Sequence, residues 1–213
     1  RDPHHRPDTA AAVAQSLADC VGIALPKESA QIRDSYLQSA AFVGRESELS
    51  TLRGALNQTQ RGQGAMWLIG GESGVGKSRL LDELRTVALV RGAAVDRGQA
   101  VSEAGSAYQI FVDALRSCAL AVTLSDLEAS TLSSIVPDLS ALIGRPISEP
   151  KAVDAQAARF RLLSTITDVL RRRSQPAVLI LEDIHWAPDD ALEVLHRLLV
   201  DADKYPLLVL ASY

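Results

Sequence analysis

Two kinds of apolar pattern alternate along this chain. Short continuous runs occur in "AMWLIG" (65–70), within "PAVLILEDIHWAP" (176–188) and in "PLLVLASY" (206–213), each of strand length and bounded by turn or charged residues. Between them apolar residues recur at helical spacing. Leu49, Leu52 and Leu56 follow Ser47 and stop before "GQG" at 62–64; Leu80, Leu81, Leu84, Val87 and Ala88 line one side of 77–91. From 106 to 173 the spacing is helical, with breaks near Pro137 and between Gly144 and Pro150, and "YQIFVDAL" puts Ile110, Phe111, Ala114 and Leu115 in core register. A further helix is predicted from about 188 to 202, and "GAAVDRGQAV" (92–101) reads as a weaker strand. Strands that alternate with helices predict an α/β fold with a parallel sheet covered on both faces.

Ahead of this lies a different texture. Residues 1–10 are polar and proline-rich, Val13, Leu17 and Val21 form one short amphipathic stretch, and 22–41 with Gly22 and Pro26 reads as a linker. The expected domains are therefore a short N-terminal helical fragment (1–21), a linker (22–41) and one α/β domain (42–213). At 47% hydrophobic and 23% charged, the chain is too apolar for disorder, and it contains no spanning run. The net charge of −4 gives no electrostatic reason to expect nucleic acid or an anionic membrane as its partner. Cys20 and Cys118 stand far apart, with no second pair and no histidine at ligand spacing, so a reducing cytoplasm fits best. His4 and His5 lack the further ligands a metal needs. The N-terminus has neither a signal-peptide pattern nor an initiating methionine, and the chain reads as a cut from something longer.

The chemistry is concentrated between the first apolar run and the helix behind it. Gly71-Glu72-Ser73-Gly74-Val75-Gly76-Lys77-Ser78 matches G-x-x-x-x-G-K-[ST] in full. Glycines let the backbone turn back so that successive N–H groups face a phosphate chain, and the next helix offers its positive end to the same anion. Lys77 is expected to reach the β- and γ-phosphates and Ser78 to take a place on Mg²⁺. Gly71, Ser73, Gly74, Val75, Gly76, Lys77, Ser78 and Arg79 thus form the candidate phosphate-binding set.

Such a site also needs a carboxylate at the end of a neighbouring buried strand, and "VLILED" supplies Glu182 and Asp183. By position Glu182 is nearest the metal and Asp183 nearest the attacking water; the opposite split stays open, because the usual metal ligand is aspartate. Ser212, at the end of the last apolar run, is either a γ-phosphate sensor or an ordinary polar strand end. The arginines "RRR" at 171–173 read as a solvated helix end, with phosphate sensing as the minor alternative.

These residues carry a family resemblance. "FVGRESEL" (42–49), "GESGVGKSRLLDEL" (71–84), "VLILEDIHWAPDDALEVLHRLL" (178–199) and "PLLVLASY" (206–213) together resemble the AAA-type ATPase module of STAND-class signalling NTPases. The likeness is greatest to the versions in large LuxR-family regulators and in kinase- or cyclase-linked ATPases. It implies a P-loop NTPase fold, ATP and Mg²⁺ as cofactors, and an adenine contact from Val43, Gly44 and Arg45. It further implies a fifth strand and a lid beyond residue 213, with an arginine from that lid or from a neighbouring subunit that no position here supplies. Pro188 departs from the family by intervening before Asp189. His185 and Trp186 are either switch elements near the γ-phosphate or packing beneath the following helix.

The N-terminal "RDPHHRPDTAAAVAQSL" (1–17) resembles the end of a bacterial Ser/Thr protein kinase domain, with Arg6 matching the arginine that anchors its C-lobe. The resemblances imply a nucleotide-operated switch in a cytoplasmic multidomain signalling protein. ATP or ADP, an N-terminal kinase domain, a C-terminal repeat or effector region and self-association are its implied partners. The alternatives are a nucleotide-binding scaffold without significant turnover and, less favoured, a small-molecule kinase.

Overall fold

The computed structural model describes residues 44–101, 107–149 and 152–213, together with Cys20. Apart from Cys20, these belong to one compact unit, Ala41–Tyr213. Val43, the kinase-like segment with His4, His5 and Arg6, and the linker at 22–41 lie outside the described residues.

Four parallel strands, β1 (Ala65–Ile69), β2 (Ala94–Gln99), β3 (Ala177–Glu182) and β4 (Leu207–Ser212), form one sheet in the order β1-β4-β3-β2. β3 and β4 are buried at every residue, as their unbroken apolar runs require. Val178, Ile180, Leu208 and Leu210 face a core made with α1 (Glu46–Thr59) and α2 (Lys77–Val90). The alternate residues Leu179, Leu181, Leu207 and Val209 face a larger core on the other side. That second layer contains α3 (Val112–Ala121), α4 (Asp126–Leu132), α5 (Leu139–Ile143), α6 (Ala155–Arg171) and α7 (Asp189–Leu199). β1 pairs only with β4 among the described strands, and its Trp67 and Leu68 are exposed.

The helix at the start of the domain begins at Glu46, one residue before the predicted Ser47, and Arg45 occupies its cap position without a side-chain bond. The long helical stretch after residue 106 is divided more finely than its spacing suggests, into a short 3₁₀ turn (Gln109–Phe111) and helices α3 to α6. Gly98 of β2 lies against the carbonyl of Ile110, only 1.9 Å from where a Cβ would sit, so the 3₁₀ turn packs directly on the strand.

Of the arginines at 171–173, expected to be a solvated helix end, Arg172 is exposed, whereas Arg171 is half-buried and Arg173 is buried. Arg171 donates to the carbonyls of Arg197 and Val200 and stacks over Tyr205. Arg172 pairs with Glu128. Arg173 is buried, meets Asp96 at 2.9 Å and donates to Cys118 Sγ at 2.9 Å. Burial pushes the Asp96 carboxyl above its usual range, with the Arg173 charge opposing the shift.

Glu128 also completes a capping box at the start of α4: it accepts from Ser125 N at 2.8 Å, while its own N–H donates to Ser125 Oγ at 3.3 Å. Hydrogen bonds from Arg172 and then from Ser125 outweigh burial and lower its carboxyl from 4.5 to about 2. A folded-state value below the unfolded one gives stability that is complete above pH 4.5 and lost as pH falls toward 2. Glu128→Gln is expected to cost about 1 kcal/mol at neutral pH. In urea unfolding across pH, its deficit relative to the wild type should shrink below pH 4.5.

Candidate nucleotide-phosphate site

β1 ends at Ile69, α2 starts at Lys77, and the residues between them form the glycine-rich loop. Gly74 and Gly76 have φ of 80° and 95°, a region that L side chains rarely adopt, so the loop turns back on itself only with glycine there. A Cβ at either would meet no atom within 4 Å, so the loop leaves an open cradle around them. The helix behind it is built for an anion. α2 carries no acidic residue in its first turn, unlike α1 with Glu46 and Glu48, so its positive end is not cancelled by its own side chains. Lys77 folds over the loop and donates to the carbonyls of Gly71 at 2.5 Å and Glu72 at 3.2 Å.

β3 delivers the acids to the same end of the sheet. Glu182 is its last residue, 6% exposed, and Oε2 accepts from Ser78 Oγ at 2.6 Å. The following residue, Asp183, turns out of the strand with φ of 56° and ψ of 39°, left-handed geometry that aspartate tolerates better than most residues. Successive strand residues point to opposite faces, yet both acids find partners on one face of β2: Arg97 donates to Glu182 Oε1 at 2.5 Å, and Gln99 donates to Asp183 Oδ2 at 2.8 Å. The turn at Asp183 brings the second carboxylate round to the side of the first.

The loop residues, Lys77, Ser78 and the acid pair are therefore brought together. Ser212 closes β4 opposite Ile69, at the end of the sheet where the loop begins, and is 2% exposed. Arg79 sits on α2 and pairs with Glu83 at 2.9 Å. Arg45 opens α1, its carbonyl accepting from Leu49, and Gly44 donates to Glu46 Oε1 at 3.1 Å. α1 itself packs on α2 through Leu49, Leu52, Leu56, Leu80, Leu81 and Leu84. Trp186 is 54% exposed in a 3₁₀ turn after Asp183, so its ring is not packed away beneath α7. Arg97 and Gln99 were not singled out in the sequence. The available signal was two polar residues spaced i, i+2 at the end of a strand, but their relevance depends on β2 lying beside β3, a pairing that residue spacing does not disclose.

The donor set fits a magnesium nucleotide. Among the described residues no group of three or more His, Cys, Asp or Glu gathers as a protein-only metal cage. One hydroxyl and one carboxylate at 2.6 Å, beside the glycine-rich loop and an ammonium, suit a small divalent cation that takes its other ligands from phosphate and water. Among the described residues no helix is long and apolar enough to cross a membrane.

Comparison with known proteins agrees with this geometry. The family described as AAA ATPase domain matches residues 41–210. The chain is also similar to an uncharacterized protein of Rhizobium meliloti (strain 1021), with 29% identity over 196 residues, which is 80% of this chain and 18% of that protein. The chain thus spans less than a fifth of that relative's length.

Two glycine substitutions separate torsional from steric demands on the site. Gly76→Ala, which meets no neighbour, should lose about 1–2 kcal/mol of stability through backbone strain alone. Gly98→Ala must displace the backbone of Ile110 and should lose more, above about 3 kcal/mol. Urea denaturation of the two variants checks the order.

Proposed function

The chain belongs to the AAA ATPase domain family, and from that premise we propose that it is the ATP-binding and ATP-hydrolysing module of a multidomain signalling protein, working as a nucleotide-dependent switch. The observation that carries the proposal is the 2.6 Å contact between Ser78 of the loop and Glu182 of β3, which joins the two halves of a P-loop NTPase site.

In this reading the N–H groups of the Gly71–Ser78 loop and the N-terminus of α2 bind the phosphate chain, and Lys77 moves from the loop carbonyls to the β- and γ-phosphates. Ser78 and Glu182 would hold Mg²⁺, which when bound neutralises phosphate charge and orients the γ-phosphate. The contact with Ser78 supports giving Glu182 the metal, and leaves Asp183, whose partner Gln99 is a neutral amide, to orient and deprotonate the attacking water. Gly44 and Arg45, with Val43, are assigned to the adenine by the resemblance of "VGRE", and Ser212 to sensing the γ-phosphate. The STAND assignment rests on "ED-x-HWA", and the link to a Ser/Thr kinase rests on "DPHHRP" at 2–7. Appended kinase and effector regions would read the nucleotide state, in a cytoplasmic protein.

Calorimetric titration with Mg²⁺-ATP, Mg²⁺-ADP and Mg²⁺-GTP tests the site. Lys77→Ala should weaken adenine-nucleotide binding by about 2–3 kcal/mol, roughly 30- to 150-fold. Asp183→Asn should retain binding and reduce phosphate release by roughly 10²- to 10⁴-fold. No binding by the wild type would overturn the proposal; binding without phosphate release from the intact protein would leave a scaffold in place of a switch.

A further inference from the structure

β2 brings a second cation to the site. The Arg97 guanidinium meets Glu182 Oε1 through both Nε and Nη2, and its Nη1 meets Asp82 Oδ1 of α2 at 2.8 Å. Glu182 is nearly buried, and its other oxygen accepts from Ser78 at 2.6 Å. Each oxygen of the metal-side acid is therefore engaged, one by a positive charge and one by the hydroxyl expected to share the metal with it. A magnesium ion bound at about 2.1 Å from that carboxylate would lie close to the guanidinium, and two cations on one carboxylate repel. Arg97 has somewhere to go. Asp82 is half-exposed on the helix that begins with Lys77 and already shares the guanidinium.

Resting on the nucleotide-site reading above, we propose that Arg97 is a resident counter-ion of Glu182. It holds the carboxylate against Ser78 in place of a divalent cation, and it shifts toward Asp82 when the metal arrives. Two consequences follow from charge alone. With Arg97 in place, a metal-free nucleotide diphosphate enters a site whose nearest carboxylate is already neutralised, so it binds without meeting an uncompensated negative charge. Metal and guanidinium compete for Glu182, so Arg97 weakens the metal's hold on the site. Arg97 is a positioning residue in this scheme, since it acts on phosphate and metal through Glu182.

The test is calorimetric titration of the intact protein with ADP, once in EDTA and once in saturating Mg²⁺, for the wild type, Arg97→Gln and Arg97→Lys. In Arg97→Gln, metal-free ADP binding should weaken roughly tenfold while Mg²⁺-ADP binding is unchanged or tighter, so the preference for the metal complex widens. Arg97→Lys, which keeps the charge, should restore most of the metal-free affinity. Equal weakening of both titrations in Arg97→Gln would mean that the arginine only supports the fold and would overturn the inference, as would no change in either. Failure of the wild type to bind ADP under both conditions would instead overturn the nucleotide-site reading beneath it.

Discussion

An ionised carboxylate taken out of water at the end of a buried strand costs several kcal/mol unless it is paired, and this constraint on Glu182 organises the site. Its partners come from two elements. Ser78 reaches it from the start of α2, Arg97 reaches it from β2, and Arg97 is in turn held by Asp82, further along α2. One buried charge thereby ties the glycine loop, two strands and a helix together. It also requires β2 and β3 to end level, as their register does by setting Gln99 opposite Glu182.

β2 is gripped from both faces by charges of opposite arrangement. Adjacent strand residues point to opposite sides, so Arg97 faces the site while its neighbour Asp96 faces the second helical layer. There Asp96 meets the buried Arg173, which also donates to Cys118 and to the carbonyl of Ala114 on α3. The run Arg171–Arg173 shows how a helix end can serve several neighbours. Arg171 closes α6, Arg172 caps it and Arg173 lies beyond it, so the three consecutive arginines diverge to reach α7 and Tyr205, the cap of α4, and β2. The layer behind the sheet therefore helps fix the strand that orients both acids.

Much of the α/β architecture was legible from the sequence because its signals are local. β3 and β4 announce themselves as unbroken apolar runs, and burial on both faces is what such runs require. The glycine loop was legible for the same reason, since positive φ at Gly74 and Gly76 is a demand on the residue itself. Less was visible where a residue's role depends on a distant neighbour. "RRR" at a helix end suits solvent by local rules, and nothing nearby in the sequence reveals the acids 44 and 77 positions away that two of its members meet. The seating of the 3₁₀ turn Gln109–Phe111 depends on Gly98 of β2 admitting the carbonyl of Ile110, a contact between separate elements.

The sequence by itself determined the strand and helix alternation, the phosphate-binding loop and the pair of acids, because each is written in adjacent residues whose torsions and polarity act locally. Only the tertiary structure decided which partner each acid takes. Strand order, register and the left-handed turn at Asp183 are settled by long-range packing, and together they set Glu182 between Ser78 and Arg97 and Asp183 beside Gln99.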